Sequence, residues 1–198
     1  MSASLPPQYY GFGVFLIKTG DVEPGPHQVT TTMELSAGGY TFLRGSMTFS
    51  VQADSCTVPA DAGSKTVNMG HVARDAIRPP GVTGAPLSAF HIPLTQCAIG
   101  SALSNMVNIK FDGAAGSASV GPEQGVLGLK NGATAQGIGI QILRENGSTP
   151  VPLGVFTPAA PVRPGEMTLD FQARYVQTQP VTLSGSANAA VNFTLSYK

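Results

Sequence analysis

Apolar and polar positions alternate with a period of two along most of this chain. The last thirteen residues, "SANAAVNFTLSYK" (186–198), place Ala189, Val191, Phe193, Leu195 and Tyr197 on one face and Asn188, Ala190, Asn192, Thr194 and Ser196 on the other. That is the signature of a strand with one buried face. The same reading applies to "YGFGVFLIKTG" (10–20), to "VTTTMEL" (29–35), with Val29, Thr31, Met33 and Leu35 on one side, and to "GSMTFSVQADSC" (45–56), with Met47, Phe49, Val51 and Ala53. It recurs in "TVNMGHV" (66–72), "AFHIPLTQC" (89–97), "MVNIKFDG" (106–113), "QGIGIQILREN" (136–146) and "EMTLDFQARYV" (166–176). Turn-rich stretches separate these runs: "DVEPGPH" after Gly20, Gly38-Gly39, and "APVRPGE" (160–166). Helical periodicity is scarce. Short strands between turn signals predict an all-β sandwich with Greek-key connections.

Composition supports that class. The 198 residues are 42% hydrophobic, enough for a core, and the 24 Gly and 16 Pro supply many turns. Charged residues make up 11% of the chain, and eleven basic residues balance eleven acidic ones. No global field would draw the chain to nucleic acid or anionic lipid, and no run approaches the ~20 apolar residues of a membrane helix. The charge-poor surface suits an exported protein, although "MSASLPPQYY" lacks the pattern of a signal peptide, which points to a mature form or a cut chain. The two cysteines, Cys56 and Cys97, form a candidate pair, and two buried thiols are the other reading. "SAGGYTFLRG" (36–45) is the one compositional seam.

Catalytic constellations are thin. His27, His71 and His91 form no metal-ligand spacing, so no metal or cofactor is expected. "GFG" (11–13) and "GIG" (137–139) lack the helix and third glycine of a dinucleotide loop and read as strand glycines. There is neither a nucleophile elbow nor a phosphate loop, and no Trp to stack on a base or sugar. The sequence argues against an enzyme. Asn146-Gly147-Ser148 and Asn192-Phe193-Thr194 match glycosylation sequons, but such short matches arise by chance.

From about residue 45 to 198 the chain resembles the pilin domain of chaperone–usher fimbriae, the adhesive surface fibres of Gram-negative bacteria. "VQADSCTV" followed by "KTVNMGHV" is similar to the first strand of that family, with its cysteine and V-x-[LM]-G-x-V step. "FHIPLTQC" resembles F-x-I-x-L-x-x-C, "GIGIQILRENG" resembles G-[IV]-x-[IV]-Q-[IL]-x-x-x-x-G, and "LDFQARY" resembles the F-x-A-R-Y stretch. Gly185, about fourteen residues from the end, and the penultimate Tyr197 are similar to the family's C-terminal signature. Each motif alone is weak; their order along the chain is specific.

The resemblance implies an immunoglobulin-like Greek-key sandwich that lacks its last strand, held by a Cys56–Cys97 disulfide formed in the periplasm. Such a bridge is worth roughly 4 kcal/mol by loop entropy. It implies a groove with Gly185, Ala189, Val191, Phe193, Leu195 and Tyr197 along one wall and Lys198 carrying the terminal carboxylate to a chaperone cleft. A periplasmic fimbrial chaperone, the outer-membrane usher and neighbouring pilin subunits are the implied partners, and assembly proceeds by donor-strand complementation. An ordinary closing strand in a complete sandwich is the reading from alternation alone.

Residues 1–44 exceed an ordinary pilin's extension. "FGVFLIKTGDVEPG" (12–25) resembles the end of the receptor-binding domain in two-domain tip adhesins, so 1–44 read as the tail of such a domain, or a long extension, ahead of a pilin domain at 45–198. The preferred expectation is a fimbrial tip adhesin or a relative, mediating cell adhesion through a host receptor or glycan. The alternatives are a repeating or adaptor pilin whose residues 28–39 are the donor strand, and a self-contained secreted β-sandwich binding module. The expected location is the fimbrium at the cell surface, after passage through the periplasm.

Overall fold

A computed structural model describes residue 17 and residues 25–82, 84–100 and 106–197. Its elements are eleven strands and two single-turn 3-10 helices, at Arg74–Ala76 and Pro122–Gln124. Strands β1 (Gly25–Ala37) and β2 (Tyr40–Ala53) form a two-stranded ribbon. Then follow β3 (Ser55–Thr57), β4 (Ser88–Ala98), β5 (Met106–Ala114), β6 (Ser119–Gly121), β7 (Val126–Leu127), β8 (Ile138–Arg144), β9 (Thr157–Pro161), β10 (Gly165–Gln177) and β11 (Ala190–Tyr197).

Nine of these strands make two antiparallel sheets, β3-β4-β10-β8-β7-β6 and β11-β5-β9. The alternation in the sequence explains how the sheets meet. In β5 the odd positions Val107, Ile109 and Phe111 are buried, and in β10 Leu169, Phe171 and Ala173 are buried. Phe111 stands edge-on to Phe171 at 5.3 Å between ring centroids, and Phe171 stacks on Phe90 of β4 at 5.5 Å, so an aromatic line crosses from one sheet to the other. Leu94, Ile142, Val151 and Leu153 fill the space around it.

β8 is buried on both faces, and its one buried polar side chain is satisfied. Gln141 donates to the Gln124 carbonyl at 2.8 Å and accepts from Arg174 Nε at 3.0 Å. Burying these groups without such partners would cost several kcal/mol. The expected all-β, disulfide-bonded sandwich is therefore what the chain forms.

Three segments differ from the pattern reading or extend it. Residues 65–73 alternate Val67 and Met69 but carry no strand, because alternation describes a face and a ladder needs a neighbouring backbone. β9 was hidden by Pro158 and Pro161, which a strand tolerates only at an edge, and β9 is the edge of its sheet. The seam at 36–45 holds the ribbon's turn, where Gly38 and Gly39 adopt φ of +60° and +83°. Two consecutive left-handed residues are what a two-residue hairpin connection requires. The strand expected at 10–20 and the glycines at 11–13 lie outside the described residues apart from Ile17.

Candidate functional site

β11 hydrogen-bonds to β5 along its whole length, from Ala190 opposite Ala114 to Tyr197 opposite Val107. On its other side it meets no strand among the described residues, and β3 likewise ends the larger sheet. The two edges come together at the C-terminal end of β11. The Tyr197 hydroxyl donates to the Cys56 carbonyl at 3.4 Å there. Burial pushes the Tyr197 phenol above its ordinary value.

Half-buried apolar residues along the two edges outline a slot. Ala189, Val191, Phe193, Leu195 and Tyr197 all pack on the buried core from the β11 side, and Cys56 and Val58 do so from the β3 side. All seven are half-buried, whereas the same alternation in β5 is fully covered. A strand with one paired edge and a half-covered apolar row is an incomplete sheet, the type of surface that another strand completes.

Five of the residues expected at the groove are thus brought together. Gly185 lies before β11, where a Cβ would come within 2.5 Å of the Ala135 backbone nitrogen and of Thr134 Oγ1. Its lack of a side chain serves close packing of the approach to β11, outside the row on the slot floor. Lys198 lies outside the described residues. Val58 joins the floor although sequence reading passed over it; its place two residues after Cys56, in phase with the same face, was the available signal.

The disulfide depends on a break in the alternation of β4. Phe90, Ile92 and Leu94 point inward, and strict period two would send Gln96 inward next. Gln96 instead adopts φ of +51°, and the pairing shifts between Leu94 and Cys97 toward β10 and between Thr95 and Ala98 toward β3. This bulge turns Cys97 to the core, where it is bonded to Cys56. The Gln96 side chain stays outside and accepts from the Thr57 hydroxyl at 3.2 Å.

Among the described residues no group of His, Cys, Asp and Glu is placed to hold a metal ion. No helix there is long and apolar enough to cross a membrane. Surface clefts among the described residues include one of about 290 Å³ beside Arg144, Asn146 and Asp170 and one of about 300 Å³ beside Met106, Phe156 and Ser196. Neither contains a nucleophile–base pair.

The family model described as "Fimbrial protein" matches residues 45–198. The S-fimbrial protein subunit SfaG of Escherichia coli O6:K15:H31 is 31% identical over 152 residues, 77% of this chain and 81% of that protein. The type-1 fimbrial protein C chain of Escherichia coli is 30% identical over 194 residues, 96% of this chain and 98% of that protein. Among solved structures, the P pilus rod subunit PapA superposes with a TM-score of 0.58 at 19% identity, over 72% of this chain and 99% of that one. At that identity the likeness speaks for the fold alone.

Proposed function

From the premise that this chain belongs to the fimbrial protein family, a family of structural subunits that form surface pili, we propose that it assembles by donor-strand complementation through the slot beside β11. The observation that carries the reading is the free edge of β11 above a half-covered row, Ala189 to Tyr197. A periplasmic chaperone lends a strand to this slot, the outer-membrane usher receives the complex, and the N-terminal strand of a neighbouring subunit then takes the chaperone's place. Because the contact joins different surfaces on successive copies, it does not close and a fibre grows.

Of the expected donor segment 28–39, residues 28–37 lie in β1, with Val29 and Leu35 each 47% exposed, and Gly38 and Gly39 form the turn after it. That favours a repeating or adaptor subunit that carries its own donor strand, over a tip adhesin. The 12–25 segment that suggested a tip position lies almost wholly outside the described residues.

Periplasmic expression with and without a cognate chaperone tests the reading. The expected result is soluble protein only as a one-to-one complex. Changing Phe193→Asp together with Leu195→Asp is expected to abolish that capture, and undiminished capture would overturn the proposal.

A further inference from the structure

The ribbon has one apolar and one polar face. Val29, Met33 and Leu35 on β1 stand opposite Phe49, Gly45 and Leu43 on β2, with Met47 and Val51 continuing the row. On the other face Thr30 Oγ1 lies 3.1 Å from Thr48 Oγ1, and Glu34 pairs with Arg44 at 3.2 Å. The extensive contacts of the ribbon are those between its own strands. It joins the sandwich after Ala53, where buried Asp54 accepts a hydrogen bond from the Gly100 amide.

A strand seated in the slot would have β11 along one hydrogen-bonding edge and the three residues of β3 along part of the other. In the ribbon one edge of each strand is already occupied by the other, from Gly25 opposite Ala53 to Ala37 opposite Tyr40. A strand cannot be paired in the ribbon and fully seated between two edges at once.

We propose that the ribbon is an assembly latch, a self-paired form of the N-terminal segment that must open before β1 can be donated to a second copy of the chain. This inference rests on the donor-strand reading above. The latch is soft by construction. A two-stranded ribbon alone in water is marginal, and its cross-strand side chains are largely exposed, Leu35 and Leu43 each at 47% and Tyr40 at 75%. The Gly38-Gly39 connection therefore sets how fast the latch recloses, because both residues hold a left-handed backbone that β-branched side chains resist.

Fibre formation by the full chain, released from its chaperone complex and followed by light scattering, tests this. With Gly38→Val and Gly39→Val the latch closes poorly, and assembly is expected to run at least threefold faster than in the parent. With Thr30→Cys and Thr48→Cys oxidised across the ribbon, assembly is expected to slow tenfold or more. It should recover when that bond is reduced under conditions that leave Cys56–Cys97 intact. A turn variant no faster than the parent, or a cross-linked ribbon that assembles at the parent rate, overturns the latch. The donor-strand reading has a separate control. If Phe193→Asp assembles normally, that reading falls and the latch with it; if Phe193→Asp blocks assembly while the ribbon variants behave as the parent, only the latch falls.

Discussion

The sandwich and the ribbon are written in the same alternating code and meet opposite fates. In the sandwich, Leu94 and Ile109 are 0% and 1% exposed, because each sheet lays its apolar face on the other. In the ribbon, Val29, Leu35 and Leu43 are each 47% exposed, because the face they form has no sheet opposite it among the described residues. Period two thus specifies which side of a strand is apolar, and the facing element decides whether that side is covered. β11 stands between the two cases, with its row on the core and one edge that meets no strand among the described residues. The proposed strand exchange would convert such a half-covered row into a covered one.

The comparison breaks most sharply in the core. Phe111→Ala removes a side chain 1% exposed that meets Phe171 edge-on, and is expected to cost about 3–5 kcal/mol in urea unfolding of the chaperone-free chain. Phe49→Ala in the ribbon should leave the same transition within about 0.5 kcal/mol, in the range of surface changes. A ribbon substitution as costly as the core one would mean that the two regions unfold as one unit.

The staple comes next. Replacing Cys56→Ser and Cys97→Ser together is expected to lower stability by about 2–4 kcal/mol, read from the urea midpoint. Alkaline pH gives a smaller effect with a definite sign. Burial raises the phenols of Tyr175 and Tyr197, so above about pH 10 the unfolded chain loses their protons while the folded chain keeps them. Stability should therefore be intact below that pH and fall as pH rises through the folded values. Tyr197→Phe should flatten that fall while leaving the neutral-pH midpoint nearly unchanged, since the bond it removes is long at 3.4 Å. The smallest effect belongs to the ribbon's polar face. Arg44→Ala should change stability by no more than about 0.5 kcal/mol, and less at high salt, because the Glu34 pair is exposed.

Much of the sandwich was legible in the sequence. The runs at 89–97, 106–113, 136–146 and 166–176 correspond to β4, β5, β8 and β10, and the terminal run to β11, because each carries its apolar face in period two. The rest depended on matters that local pattern does not record. Residues 66–72 alternate yet lie beside no ladder. β9 pairs at an edge despite two prolines. The inward turn of Cys97 depends on Gln96 taking a left-handed backbone that nothing about glutamine announces. At the candidate site, Ala189 to Tyr197 could be read from the terminal alternation, but Val58 entered only through the corner it shares with β11. Leu43 was passed over because the seam at 36–45 read as a boundary, whereas the backbone crosses it as a hairpin.

If subunits hold one another by their N-terminal segments, as proposed, the Cys56–Cys97 bond has a mechanical consequence for the fibre. Tension applied to β2 enters the sandwich at Asp54 and Ser55, where β3 offers only three residues of backbone pairing to carry it. Two residues into that strand the load meets a covalent bond into β4, which lies beside β10 in the middle of the larger sheet. Force then passes through sulfur to the core instead of shearing β3 away. The residues from 57 to 96 lie off the path of the pull, as a loop closed behind the bond. Val58 is among them, so the slot floor on that side stays in place while the fibre is under strain.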